Sequence, residues 1–191
     1  AVSFADAVRI VRRRGALMQS AVEPGKGAMS AVKMPAENPE QIDLDAILGT
    51  HDAQVANYNS RSQVVISGLK DPVEAAGAAL AERYGEAVEI VPLPVSAPLH
   101  SRHMQSIEAE FADFLGGFAL VAERAQAVLS NYTGAYHAAD AATVRENLVR
   151  QISGSVRWVD NMLQIAADSD DIIEIGPGRP LGGFFVRQNL T

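Results

Sequence analysis

The sequence predicts an α/β fold with a βαββαβ unit near its middle, and three observations lead there. Apolar residues recur at helical spacing in some segments and run together or alternate in others. Between Gly25 and Leu93 the two patterns follow one another as strand, helix, strand, strand, helix, strand. Hydrophobic residues make up 48% of the 191 positions, enough for a sizeable core in one domain carrying a subdomain.

The elements follow in order. Phe4, Ala7, Val8, Val11, Gly15 and Met18, three or four residues apart, predict a helix over 4–19, and Glu23-Pro24-Gly25-Lys26-Gly27 ends it. Residues 28–34 read as a strand, 41–48 as a short helix, 55–58 and 63–67 as strands, 72–84 as an Ala-rich helix and 87–93 as a strand. That order is the ferredoxin-like split motif, a four-stranded antiparallel sheet with two helices on one face, expected over 25–93. The flanks, 1–24 and 94–191, then form a larger unit. It is expected to hold a helix over 102–118 with Ser101 as its cap, a strand over 127–130 and a turn-rich stretch over 133–140. A helix opened by a Thr143/Glu146 capping box, another over 156–167, a buried strand over 171–175 and a helical tail with Leu181, Phe184 and Phe185 complete it. Strands separated by helices predict a parallel sheet covered on both faces, but two or three strands are too few to complete one.

Composition narrows the function. Without cysteine there is no disulfide, thiolate nucleophile or cysteine-bound metal, and a reducing cytoplasm is compatible. A formal charge of −7 argues against nucleic acid as the main partner, which requires clustered basic residues. No apolar run reaches the roughly 20 residues of a membrane span, and no leader pattern opens the chain, so no membrane partner and a cytoplasmic location are expected. No metal is expected: His100 and His103 form a lone His-x-x-His, His103 reads as solvated, and His51 and His137 read as loop residues. Gly176-Pro177-Gly178-Arg179-Pro180 lacks the Lys-Ser/Thr of a phosphate loop and reads as a tight turn.

Two residues stand out chemically. His100 follows Pro94-Val95-Ser96-Ala97-Pro98-Leu99, between an apolar strand and a new helix, where rigid elements fix it from both sides. An imidazole there either fills a strand-to-helix junction or exchanges a proton near neutral pH, as a general base for a hydroxyl does. Arg14 falls inside the apolar arc of the first helix, the arc that runs from Leu17 through Ile10, Ala7, Val11 and Phe4 to Val8, at about 100° per residue. A guanidinium turned inward either pairs with an internal carboxylate or keeps its fork free for a bound one.

Taken together, Ser3-Phe4-Ala5-Asp6-Ala7, Arg14-Gly15-Ala16-Leu17-Met18-Gln19, Gly27-Ala28-Met29, Asn57-Tyr58-Asn59-Ser60, Gln63-Val64-Val65-Ile66-Ser67-Gly68, Val95 to His100, Val149-Arg150-Gln151-Ile152, Val156-Arg157-Trp158 and Glu174-Ile175-Gly176-Pro177-Gly178 resemble the malonyl-CoA:acyl carrier protein transacylases and polyketide synthase acyltransferases. The order and spacing of these segments carry the resemblance over nearly the whole chain. It implies an α/β-hydrolase-like acyltransferase core interrupted by a ferredoxin-like subdomain. It further implies malonyl transfer from CoA to the phosphopantetheine thiol of an acyl carrier protein, through a seryl ester, with the CoA thioester as substrate and no cofactor.

By position, Arg14 is similar to the arginine that grips the malonyl carboxylate, with Met18 beside it. His100 is similar to the catalytic histidine, and Gln151 to the glutamine whose main-chain carbonyl orients it. Asn57 and Asn59 match a motif near the active site, although a turn asparagine before a strand has structural reasons too. Leu99 stands where extender choice is set, and its bulk would crowd an α-methyl group, favouring malonyl. The Gly-His-Ser-x-Gly elbow of the family is absent, and so is the glutamine of its oxyanion hole. The expectation is therefore a C-terminal part, inactive alone, that works with a missing N-terminal part holding the serine. Alternatives are an acyl hydrolase of the same family, which Arg14 argues against, and a non-catalytic piece that docks a carrier protein.

Overall fold

A computed structural model describes residues 2–35, 39–188 and 190; the ends of the unit expected over 1–24 and 94–191 fall on residues 1 and 191, outside them. The first helix, α1 (Phe4–Ser20), starts where the Ser3 hydroxyl accepts from the Asp6 amide at 3.2 Å and so satisfies one of the orphan donors of the first turn. Its C-terminal half buries Leu17 and Met18, while Phe4, Val8 and Val11 remain exposed, so half of the expected apolar arc lies open.

The chain then makes β1 (Gly27–Lys33), α2 (Leu44–Thr50), β2 (Gln54–Ser60), β3 (Gln63–Leu69), α3 (Lys70–Tyr84) and β4 (Glu89–Pro92). These strands form one sheet in the order β2-β3-β1-β4, every neighbouring pair antiparallel, as the strand and helix pattern predicts. Because side chains alternate across a strand, the register Val32↔Val64 and Ser30↔Ile66 assigns one face, and Ala31↔Val65 the other. On the first face Val32, Val55, Val64 and Ile66 pack against Ile47 and Leu48 of α2 and Val73, Ala76 and Leu80 of α3. On the second, Met29, Ala31, Ala56 and Val65 meet Val91, Leu93 and Leu99.

The second half is mostly helical. A 3₁₀ stretch over Arg102–Ile107 leads into α4 (Glu108–Gly116), followed by the two-residue strands β5 (Leu129–Ser130) and β6 (Ala135–Tyr136), then α5 (Ala141–Arg150), α6 (Trp158–Asp168) and α7 (Gly182–Arg187). Leu17 and Met18 of α1, Met104, Ile107, Phe111, Leu115 and Ile152 make a further core cluster.

Several expectations require correction. Ser101 does not cap a helix: its hydroxyl donates back to the Pro98 carbonyl at 2.6 Å, and a 3₁₀ stretch follows. The cap of α5 is Asp140, whose carboxylate accepts from the Thr143 amide at 2.7 Å; a carboxylate three residues earlier outcompetes the Thr143/Glu146 box. The strand expected over 127–130 shrinks to Leu129–Ser130, and its partner lies in the stretch read as turns. Residues 171–175 are neither buried nor paired: Ile173 is 81% and Ile175 93% exposed. Among the described residues both sheets are antiparallel, and parallel pairing is confined to one bridge between Asn57 and Val156. His103 is half-buried rather than solvated, with a buried Nε2, and His137 is buried as well.

Candidate active site

The connection between β4 and the 3₁₀ stretch is held at both ends. At its start Leu93 donates to the Met29 carbonyl at 2.9 Å, continuing the β1–β4 ladder by one residue. Pro98 then lies against Gly27 so closely that a β-carbon on Gly27 would come within 2.4 Å of the Pro98 nitrogen. Beyond the loop, the Arg102 amide donates to Gln54 Oε1 at 2.9 Å and its guanidinium pairs with the Asp52 carboxylate. Between these anchors His100 adopts φ 56, a left-handed conformation that costs a non-glycine residue about 1–2 kcal/mol. The backbone is thereby turned so that the imidazole faces the loop after α5.

There, His100 Nδ1 lies 2.9 Å from the Gln151 carbonyl and 3.2 Å from the Gly154 carbonyl. Two carbonyl oxygens can only accept, so Nδ1 carries the proton and donates to both, and the Nε2 lone pair is left for chemistry. Among the described residues Nε2 has no hydrogen-bond partner, and no hydroxyl lies within bonding distance of it. Burial lowers the pKa of His100 below its usual value, the positive charge of Arg14 acts in the same direction, and the two carbonyls partly offset both.

Arg14 reaches this neighbourhood because α1 packs beside both segments that frame the imidazole. Leu17 and Met18, on the same helix, share a cluster with Ile152, next to Gln151, and with the half-buried Leu99, next to His100. Of the other arginines of α1, Arg13 pairs with Glu110 and Arg9 lies 3.7 Å from Asp6, while Arg12 is exposed to solvent. Arg14 is half-buried, and among the described residues it makes no hydrogen bond or ion pair. Among the described residues no carboxylate pairs with this half-buried guanidinium. Burial lowers its pKa, but a guanidinium remains charged at any physiological pH.

Arg14, Met18, Leu99, His100 and Gln151 are thus gathered where α1, the His100 loop and the loop after α5 meet. Asn57 lies in β2, as the strand read over 55–58 predicts, and Asn59 is in the same strand rather than in a turn. Asn57 pairs with Val65, which places it on the sheet face that Leu99 covers, and bridges to Val156. Among the described residues neither asparagine side chain bonds to His100, Arg14 or Gln151. Gly154 is a site residue that sequence reasoning missed. Its signal is weak, one glycine three residues beyond Gln151, but the need for glycine is firm, since a β-carbon would meet the Tyr132 ring at 2.6 Å. A cavity of about 910 Å³ between Trp158, Ile173, Leu181 and Phe185 lies elsewhere and is lined in part by the extended 171–174 segment.

The family model for the acyl transferase domain matches residues 1–178. The malonyl CoA-acyl carrier protein transacylase of Salmonella typhimurium is 37% identical over 196 residues, covering 97% of this chain and 59% of its own length. An acyl carrier protein S-malonyltransferase from Vibrio cholerae superposes with a TM-score of 0.85 at 32% identity, over 97% of this chain and 60% of that one. A malonyl-transacylase solved in complex with its type II polyketide acyl carrier protein gives 0.81 at 32% identity, over 97% and 59%. The chain therefore spans about three fifths of the relatives that it matches. With a model match over nearly all its length and relatives above 30% identity, this chain belongs to the acyl transferase domain family.

Proposed function

We propose that the chain is the C-terminal part of a malonyl-CoA:acyl carrier protein acyltransferase, completed by a part that bears the nucleophilic serine. One observation carries this reading: among the described residues a half-buried guanidinium has no anion and lies close enough to act on a histidine whose Nε2 has no partner. A cation left unpaired in a partly dehydrated site is costly unless a ligand supplies the charge, and the carboxylate of a malonyl group would do so bidentately.

In the assembled enzyme His100 Nε2 takes the proton of the serine hydroxyl as its oxygen attacks the malonyl thioester. The C–S bond breaks, and the imidazolium returns that proton to the departing CoA sulfur. The phosphopantetheine thiol then gives its proton to Nε2 and attacks the malonyl-serine ester; the serine oxygen leaves with the proton. Arg14 holds the malonyl carboxylate throughout, and the Gln151 carbonyl keeps the imidazole in the Nδ1–H tautomer. Asn57 and Asn59 line the approach along β2, and Leu99 restricts the space beside the malonyl methylene.

The same reading assigns 25–93 as a ferredoxin-like subdomain set into an α/β-hydrolase-like core formed by 1–24, 94–191 and the missing part. Its support is the extended 171–175 segment, which has no strand partner and exposes Ile173 and Ile175. Joined to the complementary N-terminal part, an Arg14→Ala variant is expected to lose malonyl transfer by about 100-fold, corresponding to about 3 kcal/mol for a charged hydrogen-bonded pair. Acetyl transfer should change little, and equal loss for both would reject the assignment. An acyl hydrolase would have no use for the open fork of Arg14, and preferential release of malonate to water would favour that alternative.

A further inference from the structure

The loop after α5 supplies more than one carbonyl to the imidazole, and its second acceptor is itself held by side chains. Gln151 Nε2 donates to the Gly154 carbonyl at 3.0 Å, spanning the turn from the residue that carries the first acceptor to the one that carries the second. Immediately beyond, the Ser155 hydroxyl donates to the Val55 carbonyl of β2 at 2.6 Å. Val156 continues the attachment, donating to Ala56 at 2.7 Å and accepting from Tyr58 at 2.8 Å. On the opposite side Glu108 of α4 receives Arg150 at 3.1 Å and the Ser153 hydroxyl. The turn is therefore fixed to the small sheet on one side and to the helical layer on the other.

The orientation of the Gln151 amide follows from these neighbours. Rotated by half a turn, its Oε1 would face the Gly154 oxygen, acceptor against acceptor. As placed, Nε2 also lies 3.4 Å from His100 Nδ1, so it could donate there only if Nδ1 were unprotonated. Two carbonyl oxygens at 2.9 and 3.2 Å oppose a lone pair at that position.

We infer that the Gln151 amide side chain and the Ser155 hydroxyl are positioning residues: together they hold the Gly154 carbonyl as a second acceptor for His100 Nδ1–H, fixing the tautomer that leaves Nε2 basic. The inference rests on the proposed role of His100 as base, but its structural content is independent of acyl transfer. β2 enters the site twice, because Gln54, with Asp52 in the turn before it, anchors Arg102 just after His100 while Val55, Ala56 and Tyr58 anchor the acceptor turn. The small sheet then sets the spacing between an imidazole and its acceptors.

The test is ¹⁵N NMR of the imidazoles in this chain, where His51, His100, His103 and His137 are the only histidines to assign. Wild-type His100 should be the Nδ1–H tautomer when neutral, whereas free histidine favours the other. Ser155→Ala and Gln151→Met should each lower the protonation midpoint of His100 and raise its Nε2–H population, and Ser155→Thr, which keeps the hydroxyl, should restore both. A wild-type His100 in the Nε2–H form overturns the inference even if every variant fails to fold. So do variants that fold but leave tautomer and midpoint unchanged. Because no turnover is read, a chain with the expected tautomer but no malonyl transfer after reconstitution would reject the proposed activity alone.

Discussion

His100 combines a strained backbone with a shifted side chain, and both follow from where it stands. A left-handed φ survives because Gly27 against Pro98, Ser101 to Pro98, and Gln54 with Asp52 against Arg102 determine the path on either side. Burial and the charge of Arg14 hold the imidazole neutral to lower pH than its ordinary 6.5. In the reconstituted enzyme the acid limb of kcat/KM should therefore lie below that value; a limb at or above it would contradict the environment described here. The same shift acts on stability. A histidine whose folded pKa is depressed binds its proton more readily when unfolded, so its contribution is complete above the unfolded pKa and declines as pH falls toward the folded one. His103 and His137 are depressed too, so thermal unfolding of the chain should come at lower temperature on going from pH 7 to pH 5. That His100 stands on a connection held at both ends was legible from its position between strand and helix. Its second acceptor was not, because a carbonyl belongs to every residue and only the fold selects Gly154.

At the scale of elements, the small sheet was the most legible part of the chain, since apolar alternation and β-branched residues in β1 and β3 point to buried strands. Asn57 falls within the strand read over 55–58, whereas Asn59 misled because asparagine is a turn residue by propensity; β2 runs on to Ser60, which pairs with Gln63 of β3. Helix starts misled for a similar reason, as several side chains near α5 have capping chemistry and the geometry uses one. Asp140→Ala should destabilise the chain by about 1 kcal/mol while Glu146→Ala leaves it within about 0.5 kcal/mol, measured by urea unfolding. Comparable losses would restore the Thr143/Glu146 box. Gly27 tests how the sheet carries the His100 loop. A β-carbon there overlaps the Pro98 backbone, which cannot rotate away as a side chain could, so Gly27→Ala should cost about 1–3 kcal/mol and broaden or shift the His100 imidazole signals. A variant as stable as the wild type, with His100 unmoved, would show that the contact does not position the loop.

For the molecule as a whole, two core clusters meet at one residue: Leu99 packs against both the sheet's second face and the helical cluster, and His100 follows it. The parallel sheet expected from strand and helix alternation is not formed among the described residues, and the segment read as its buried strand is extended and exposed. An apolar sequence such as Ile172-Ile173 records that burial is intended but not against what, which is why pattern alone misplaced it. Ile173→Asp, at an 81% exposed position, should leave the chain's own stability within about 0.5 kcal/mol yet weaken acyl transfer on reconstitution. An unchanged reconstituted activity would show that this face is not covered in the enzyme. The central claim is that the free guanidinium and the free Nε2 belong to one pocket, brought together by α1 packing beside Leu99 and Ile152. Its most direct test is the protonation midpoint of His100, followed by NMR in the wild-type chain and in Arg14→Gln. Loss of the neighbouring positive charge should raise the midpoint; a midpoint identical in the two proteins would place Arg14 outside the pocket and contradict the account.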